Sequence, residues 1–177
     1  MDRIIPVAGM PVSLQEAIIE GSIALPVALQ INRLEHDDAL ALCGFFRQVT
    51  TGLNIQRELL ELISEISFRD DIPIAVLIEQ ADIGEIIGNS DFPAPQKVQH
   101  LRMMLKAKRY PELSMVEASY YQKVKSLKLN PHVQIHPPRF FEGKSYRLSL
   151  TVDSRRQLKS LQSELEKLVH HPNLLPK

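Results

Sequence analysis

Apolar residues recur every three or four positions through much of this chain, which is the spacing of amphipathic helices. The clearest such segment begins near Asn54, a residue that can cap a helix. Its apolar face is formed by Ile55, Leu59, Leu62, Ile63 and Ile66. Similar patterns predict a series of short helices over residues 1–90, where no strand-like alternation occurs. We therefore expect the first half to be all-helical.

Residues 13–30 have the spacing of a helix-turn-helix, the motif in which many proteins place a helix that reads DNA. Ala17 stands where the two helices would cross, Gly21 lies in the turn and Val27 in the second helix. However, the segment is acidic, and its second helix offers few polar side chains to base edges. We interpret it as a scaffold rather than as a DNA reader.

The periodicity changes in the second half of the chain. Helices are predicted up to about residue 129, and then apolar and polar positions alternate over residues 132–136 and 145–152, which indicates two strands. Ser154 is expected to cap a last helix. Leucines recur along that helix every three or four positions, as in a coiled-coil seam.

Together these patterns predict a mostly α fold with two domains. Residues 1–90 would form a helical scaffold domain, and residues 91–177 a small α+β domain with the order α-β-β-α. A lone two-stranded hairpin is marginal in water, so a second copy of the chain is expected to complete the sheet. The residues predicted to form this homodimer are Tyr146, Leu148, Leu150, Val152, Leu158, Leu161, Leu165 and Leu168.

Composition changes this picture mainly through charge. The 177 residues carry 21 Lys/Arg and 21 Asp/Glu, but the net charge of zero hides two halves of opposite sign. Residues 1–96 have 5 Lys/Arg against 15 Asp/Glu, whereas residues 97–177 have 16 against 6. The basic half can meet a polyanion, and the other explanation is that the two halves attract each other.

Lysines and arginines of the basic half are therefore candidates for contacts with nucleic-acid phosphates. Flexible cations bind the phosphate backbone by charge, without reading sequence. A face that is merely solvated is the alternative, with about equal weight. The predicted DNA-binding residues are Lys106, Lys108, Arg109, Lys123, Lys125, Lys128, Lys144, Arg147, Arg155, Arg156 and Lys159.

No catalytic pattern stands out in the sequence. Paired carboxylates such as Asp37-Asp38 stand at helix starts, where they complement the helix dipole. His132 and His136 would share one face of a strand, but no cysteine or spaced carboxylate completes a metal site. We predict no enzymatic activity, no metal and no cofactor. An enzyme with its site in the His-rich end is an alternative that bound metal would reveal.

The stretch "GKSYRLSLTVDSRRQLKSLQSEL" carries a glycine-lysine pair, an alternating strand, a serine cap and a leucine helix. It resembles the C-terminal dimerisation domain of the ParB family of chromosome and plasmid partitioning proteins. The stretch "LQEAIIEGSIALPVALQINRL" resembles the family's "G-x-I-x-x-x-x-A-x-x-L" segment, which lies just after the helix-turn-helix proper. The positions that carry this second match are Gly21, Ile23, Ala28 and Ile31.

The resemblance implies a twofold dimer of the two strands and last helix, with sheet lysines that bind DNA without sequence preference. The family's N-terminal nucleotide-binding domain has no counterpart, so the chain is expected to be a fragment or a relative that has lost specific reading. Nucleotide hydrolysis and operator recognition are therefore not carried over. We expect a DNA-associated partitioning or nucleoid protein.

One alternative is a dimeric protein-interaction adaptor, or an accessory module of a transcription regulator, that offers its acidic half to a protein partner and binds no DNA. The single cysteine, Cys43, and the lack of a membrane-length apolar run favour a cytoplasmic location without membrane contact. The resemblance to the ParB family implies that this location is nucleoid-associated.

Overall fold

A computed structural model describes residue 7 and residues 9–170, without the side chains of residues 155, 156, 159, 160, 163, 164, 167 and 170. The fold is mostly α, as the sequence predicts, with a small two-stranded antiparallel sheet. It divides into two compact units, Met1–Arg109 and Tyr110–Lys177, called here unit 1 and unit 2. None of the helices in the described ranges is long and apolar enough to cross a membrane.

Unit 1 is helical throughout its described range. Its helices are α1 (Val12–Ile19), α2 (Leu25–Ile31), α3 (His36–Gln48), α4 (Leu53–Asp70), α5 (Ile74–Ile78), α6 (Ala81–Gly88) and α7 (Ala94–Arg109). One hydrophobic core joins them, because each helix turns an apolar face inward. Leu14, Val27, Phe45, Ile63 and Leu101, from five different helices, are all buried in this core.

Helix α7 extends unit 1 beyond the predicted domain boundary at residue 90. Val98, Leu101 and Leu105 lie on one face of α7 and are buried in the core of unit 1. Because burial of these side chains fixes α7 to the preceding helices, unit 1 ends at Arg109. The turn-rich segment at residues 89–93 connects two helices within the same unit.

The helix-turn-helix spacing is present in the structure between α1 and α2. Ala17 and Val27 are fully buried, as expected of small and apolar residues where helices pack. Gly21 adopts a φ of 75°, the left-handed conformation that glycine tolerates without a steric penalty. The backbone N–H of Ile23 donates to the carbonyl of Ala17 and closes the turn.

A buried glutamine holds this turn against α4. Gln56 on α4 is only 2% exposed. Its Oε1 accepts a hydrogen bond from the N–H of Ala24 at 2.9 Å. Its Nε2 donates to the carbonyls of Ser22 and Thr51, each at 2.9 Å. The amide therefore satisfies three backbone groups, which explains why a polar residue is retained in the core.

Unit 2 has the predicted order of helix, strand, strand and helix. Its elements are α8 (Pro111–Ser126), β1 (Val133–His136), a 3₁₀ turn (Arg139–Phe141), β2 (Arg147–Leu150) and α9 (Arg155–His170). The strands are antiparallel, with Val133 opposite Leu150 and His136 opposite Arg147. Ser154 caps α9, since its Oγ accepts a hydrogen bond from the N–H of Gln157.

The core of unit 2 is small and centres on a tyrosine. Tyr120, Val133, Leu161 and Leu168 are its buried members. The hydroxyl of Tyr120 donates to the carbonyl of Ile135 at 3.2 Å. Burial, reinforced by the neighbouring tyrosines, raises the pKa of Tyr120 to about 12. The phenol therefore stays protonated and remains a hydrogen-bond donor.

Candidate nucleic-acid interface

The predicted phosphate-binding residues occur in both units. Three of them lie on α7 of unit 1, a helix that carries five cations and no carboxylate. The inner face of α7 packs on the core, and its flanks meet acidic side chains of α4 and α6. The three predicted residues on this helix are Lys106, Lys108 and Arg109.

Glu58 on α4 holds two of the α7 cations. Its Oε1 lies 2.7 Å from Nζ of Lys106, and its Oε2 lies 2.8 Å from Nη2 of Arg102. Partial burial by itself raises the pKa of Glu58, but the hydrogen bonds from Lys106 and Arg102 outweigh it and bring the pKa below its usual value. The carboxylate is therefore ionised and committed to these two cations.

The end of α7 is neutralised in the same way. Nζ of Lys108 lies 2.8 Å from Oδ2 of Asp82 and donates to Oε1 of Gln80 at 2.8 Å. Nε of Arg109 lies 2.6 Å from Oε2 of Glu65. For α7, attraction between oppositely charged segments of the chain explains the basic residues, and a role in phosphate binding is not needed to account for them.

The cations of unit 2 differ from those of α7. Lys125 and Lys128 at the end of α8, Lys144 in the loop between the strands and Arg147 on β2 are exposed, and Lys123 is half-buried. None of these five makes an ion pair with a side chain that the structure describes. The side chains of the remaining predicted residues, Arg155, Arg156 and Lys159, lie outside the described part of the chain.

A cleft at the end of the hairpin gathers cationic side chains of unit 2. His136 and Arg147 form the last cross-strand pair, so both side chains stand on the polar face of the sheet. Arg139 from the connecting loop completes the cationic lining. The cleft has a volume of about 620 Å³ and is otherwise lined by Pro137, Pro138, Ser145 and Tyr146. Sequence reasoning missed Arg139, and its only signal was a lone arginine in a long loop between two strands.

An unusual backbone conformation positions Arg139. Phe140 and Phe141 both have positive φ, at 56° and 59°, which costs on the order of 1–3 kcal/mol for each non-glycine residue. The Phe141 ring packs on Tyr120 with their centroids 5.3 Å apart, and this contact holds the loop in place. The guanidinium of Arg139 lies over the Phe140 ring, 4.7 Å from its centroid.

The residues predicted to form the dimer fall into two groups. Leu161 and Leu168 are 1% and 6% exposed and pack inside the core of unit 2. They serve the core of the chain's own unit 2. Tyr146 and Leu165 are half-buried beside the same core.

The other four predicted residues are apolar side chains exposed on unit 2, three along β2 and its continuation and one on α9, and are called here the apolar strip. Its members are 37–51% exposed. They are Leu148, Leu150, Val152 and Leu158. Beside them, Tyr146, Leu148, Leu165 and Val169 contribute to an apolar groove of about 290 Å³. An exposed apolar strip of this kind is typical of an interaction surface.

Groups that would suggest catalysis or metal binding have ordinary structural roles in the described residues. Asp38 accepts a hydrogen bond from the N–H of Ala75 and so satisfies the start of α5. Cys43 is buried, and burial raises the pKa of its thiol. In the described ranges no group of three or more His, Cys, Asp or Glu lies close enough together to hold a metal ion.

Comparisons with protein-family models, with curated proteins and with solved structures find no match to this chain. The functional conclusions below therefore rest on the geometry and charge of the two units.

Proposed function

We propose that this chain is a non-catalytic, DNA-associated protein of the partitioning or nucleoid type, in which unit 2 self-associates and binds duplex DNA by charge. The observation that carries the proposal is the contrast between two sets of cations. Four of the five on α7 are paired with carboxylates of unit 1, and the fifth, Lys97, donates to the carbonyl of Ile87. Those of unit 2, such as Lys125, Lys144 and Arg147, are exposed and free of described counter-charges.

The charge balance of the units supports this division of roles. Residues 110–177 contain 11 Lys/Arg and 6 Asp/Glu, whereas residues 1–109 contain 10 Lys/Arg and 15 Asp/Glu. A net positive unit attracts the phosphate backbone, and a net negative one is repelled by it. In this proposal unit 1 is the scaffold and unit 2 the DNA-contacting part.

Self-association would double the binding surface. The apolar strip of Leu148, Leu150, Val152 and Leu158 is the part of unit 2 that a second copy would cover. A dimer presents each cation twice, so one duplex can neutralise charges from both copies. The gain in affinity then comes from the raised effective concentration of the second surface.

Affinity for two duplexes of unrelated sequence, measured across a salt series, tests the proposal. We expect equal affinity for both duplexes and, if about six phosphates are neutralised, a log-log slope near −5. The variant Lys125→Gln/Lys144→Gln removes four cations from the dimer and should flatten the slope by about three to four. The matched control is Arg33→Gln/Arg57→Gln, which removes two exposed cations from unit 1 and should leave the slope unchanged.

A protein-interaction adaptor is the second candidate, and exposed apolar residues of unit 1 favour it. Phe68 is 91% exposed and Ile19 is 85% exposed. Large apolar side chains that are left this exposed are available to contact a protein partner. An adaptor would show negligible binding to both duplexes even at about 50 mM salt, where charge-driven binding is strong. That result would overturn the DNA proposal and leave the adaptor.

A further inference from the structure

The cleft formed by His136, Arg139 and Arg147 has properties that diffuse phosphate binding does not require. A basic surface needs only exposed charges, but these three side chains line a common concave site. The two arginines create a positive potential in the cleft, and the described lining contains no carboxylate to offset it. Such an arrangement is favourable when an anion occupies the site.

The chemistry of the lining selects among anions. Arginine presents a planar fork of N–H donors that matches the oxygens of a phosphate, and two arginines can hold one phosphate from two sides. Ser145 and His136 add further hydrogen-bonding groups to the lining. The contact with the Phe140 ring restrains the Arg139 guanidinium, so less side-chain freedom is lost when it binds a ligand.

The cleft is also larger than a phosphate requires. Its volume of about 620 Å³ falls in the range of about 300–1,000 Å³ typical of small-molecule sites. Pro137, Pro138 and Tyr146 supply flat apolar surfaces next to the cations. A phosphate on the arginines would therefore leave an apolar wall on which a sugar or a base can rest.

We propose that this cleft binds the phosphate of a nucleotide, with the nucleoside part against its apolar wall. The nucleotide is either free or part of a nucleic-acid strand, and the two sources share the same recognition chemistry. The inference goes beyond the proposed function, because such a cleft binds a nucleotide whether or not the chain binds duplex DNA.

Calorimetric titration of the full chain with adenosine monophosphate, and separately with adenosine, tests the phosphate requirement. We expect the monophosphate to bind with a Kd of about 1 mM or tighter and adenosine at least about tenfold more weakly. Arg139→Gln and Arg147→Gln should each weaken binding of the monophosphate by about tenfold. Arg57→Gln, which removes an exposed cation of unit 1 outside the cleft, should leave binding within about twofold. Unchanged thermal melting verifies that each variant is folded.

A short single-stranded oligonucleotide distinguishes the two sources. If it binds and the arginine variants weaken its binding, the cleft accepts a nucleotide within a strand; if only the monophosphate responds to them, the source is the free nucleotide. The proposal is overturned if neither ligand depends on Arg139 and Arg147, if adenosine binds as tightly as its monophosphate, or if Arg57→Gln is as damaging as Arg147→Gln.

The same measurements separate this inference from the proposed function. Arginine-dependent binding of the monophosphate without duplex binding would support the cleft and reject DNA association. Duplex binding that is steep in salt, without any binding of the monophosphate, would support DNA association and reject the cleft.

Discussion

Gln56 is the residue on which the packing of the helix-turn-helix segment depends most directly. Replacing it with leucine keeps the side-chain volume but removes partners from the backbone groups of Ala24, Ser22 and Thr51. Leaving a buried polar group unpaired costs about 1–3 kcal/mol. We therefore expect Gln56→Leu to lower the free energy of unfolding by roughly 2–4 kcal/mol, since local relaxation recovers part of the loss. Urea denaturation measures the change.

A second glutamine provides the control for this prediction. Gln48 lies at the exposed end of α3 and donates one hydrogen bond to the carbonyl of Gly44. Gln48→Leu should change stability by less than about 0.5 kcal/mol. Equal effects of the two substitutions would contradict the role assigned to the Gln56 amide.

The lowered pKa of Glu58 predicts the direction in which its contribution to the free energy of unfolding changes with pH. A carboxylate with a lowered pKa in the folded state adds stability above its unfolded pKa, and this contribution is lost as pH falls through the folded value. Glu58→Gln should therefore lower the free energy of unfolding by about 0.5–1 kcal/mol at pH 7. The difference from the unmodified chain should shrink once the pH falls below the ordinary value of 4.5.

Urea denaturation at several pH values checks the prediction for Glu58. Glu61 on the same helix is exposed, so Glu61→Gln is the matched control and should have little effect at any of these pH values. If Glu58→Gln lowered the free energy of unfolding by the same amount from pH 7 to well below 4.5, the contacts of Glu58 with Lys106 and Arg102 would not depend on its charge.

At the scale of elements, helices with strong periodicity were predictable, and their ends were less so. The sequence predicts Asn54 as a helix cap, but α4 begins at Leu53 and Gly52 is its N-cap. Asn54 is instead the second residue of α4, because small polar residues are compatible with either side of a helix start and tertiary packing decides between them. Pro111 follows the end of α7 and is the first residue of α8, a position in which its missing N–H leaves no helical hydrogen bond unmade.

The basic helix α7 shows a different limit of sequence reasoning. The charge of a side chain is visible in the sequence, but the identity of its partner is not. Lys106 and Arg102 read as potential phosphate ligands, yet the fold places both beside Glu58, more than forty positions away from Arg102 along the chain. Ion pairs between distant segments depend on how the helices pack, which periodicity alone does not reveal.

The leucines of α9 can pack in the core of their own chain or in the contact with a second copy, and two substitutions distinguish these roles. Leucines at a spacing of three and four pack equally well in either setting. Leu158 is 51% exposed, whereas Leu161 is 1% exposed in the core of unit 2. We expect Leu158→Asp to dissociate the proposed dimer and leave thermal melting nearly unchanged. Leu161→Asp should destabilise unit 2 by more than about 3 kcal/mol, because it buries an unpaired charge.

Sedimentation and circular dichroism together separate these effects. Sedimentation reports the association state, and circular dichroism reports whether unit 2 is folded. If the unmodified chain is monomeric at tens of micromolar, roughly the range in which weak dimers associate, self-association through the apolar strip is excluded.

At the scale of the whole molecule, the division into two units after Arg109 changes the prediction of which fragment folds independently. The turn-rich segment near residue 90 predicts that residues 1–90 suffice, but the core of unit 1 includes Val98, Leu101 and Leu105 of α7. Full burial of one such side chain is worth about 1.5–3 kcal/mol. Removing three of them subtracts an amount comparable with the total stability of a small domain, about 5–15 kcal/mol.

The fragment 1–109 should therefore unfold cooperatively, with the melting behaviour of a packed domain, whereas 1–90 should be largely unfolded or bind hydrophobic dyes. Because the α7 cations stay paired with Glu58, Asp82 and Glu65, the fragment 1–109 should also bind no duplex at about 50 mM salt, where the full chain is expected to bind. Circular dichroism and a mobility-shift assay measure both properties. Retention of duplex by 1–109 with the affinity of the full chain would mean that the ion pairs of α7 open to phosphate, and DNA binding would then have to be reassigned from unit 2 to unit 1.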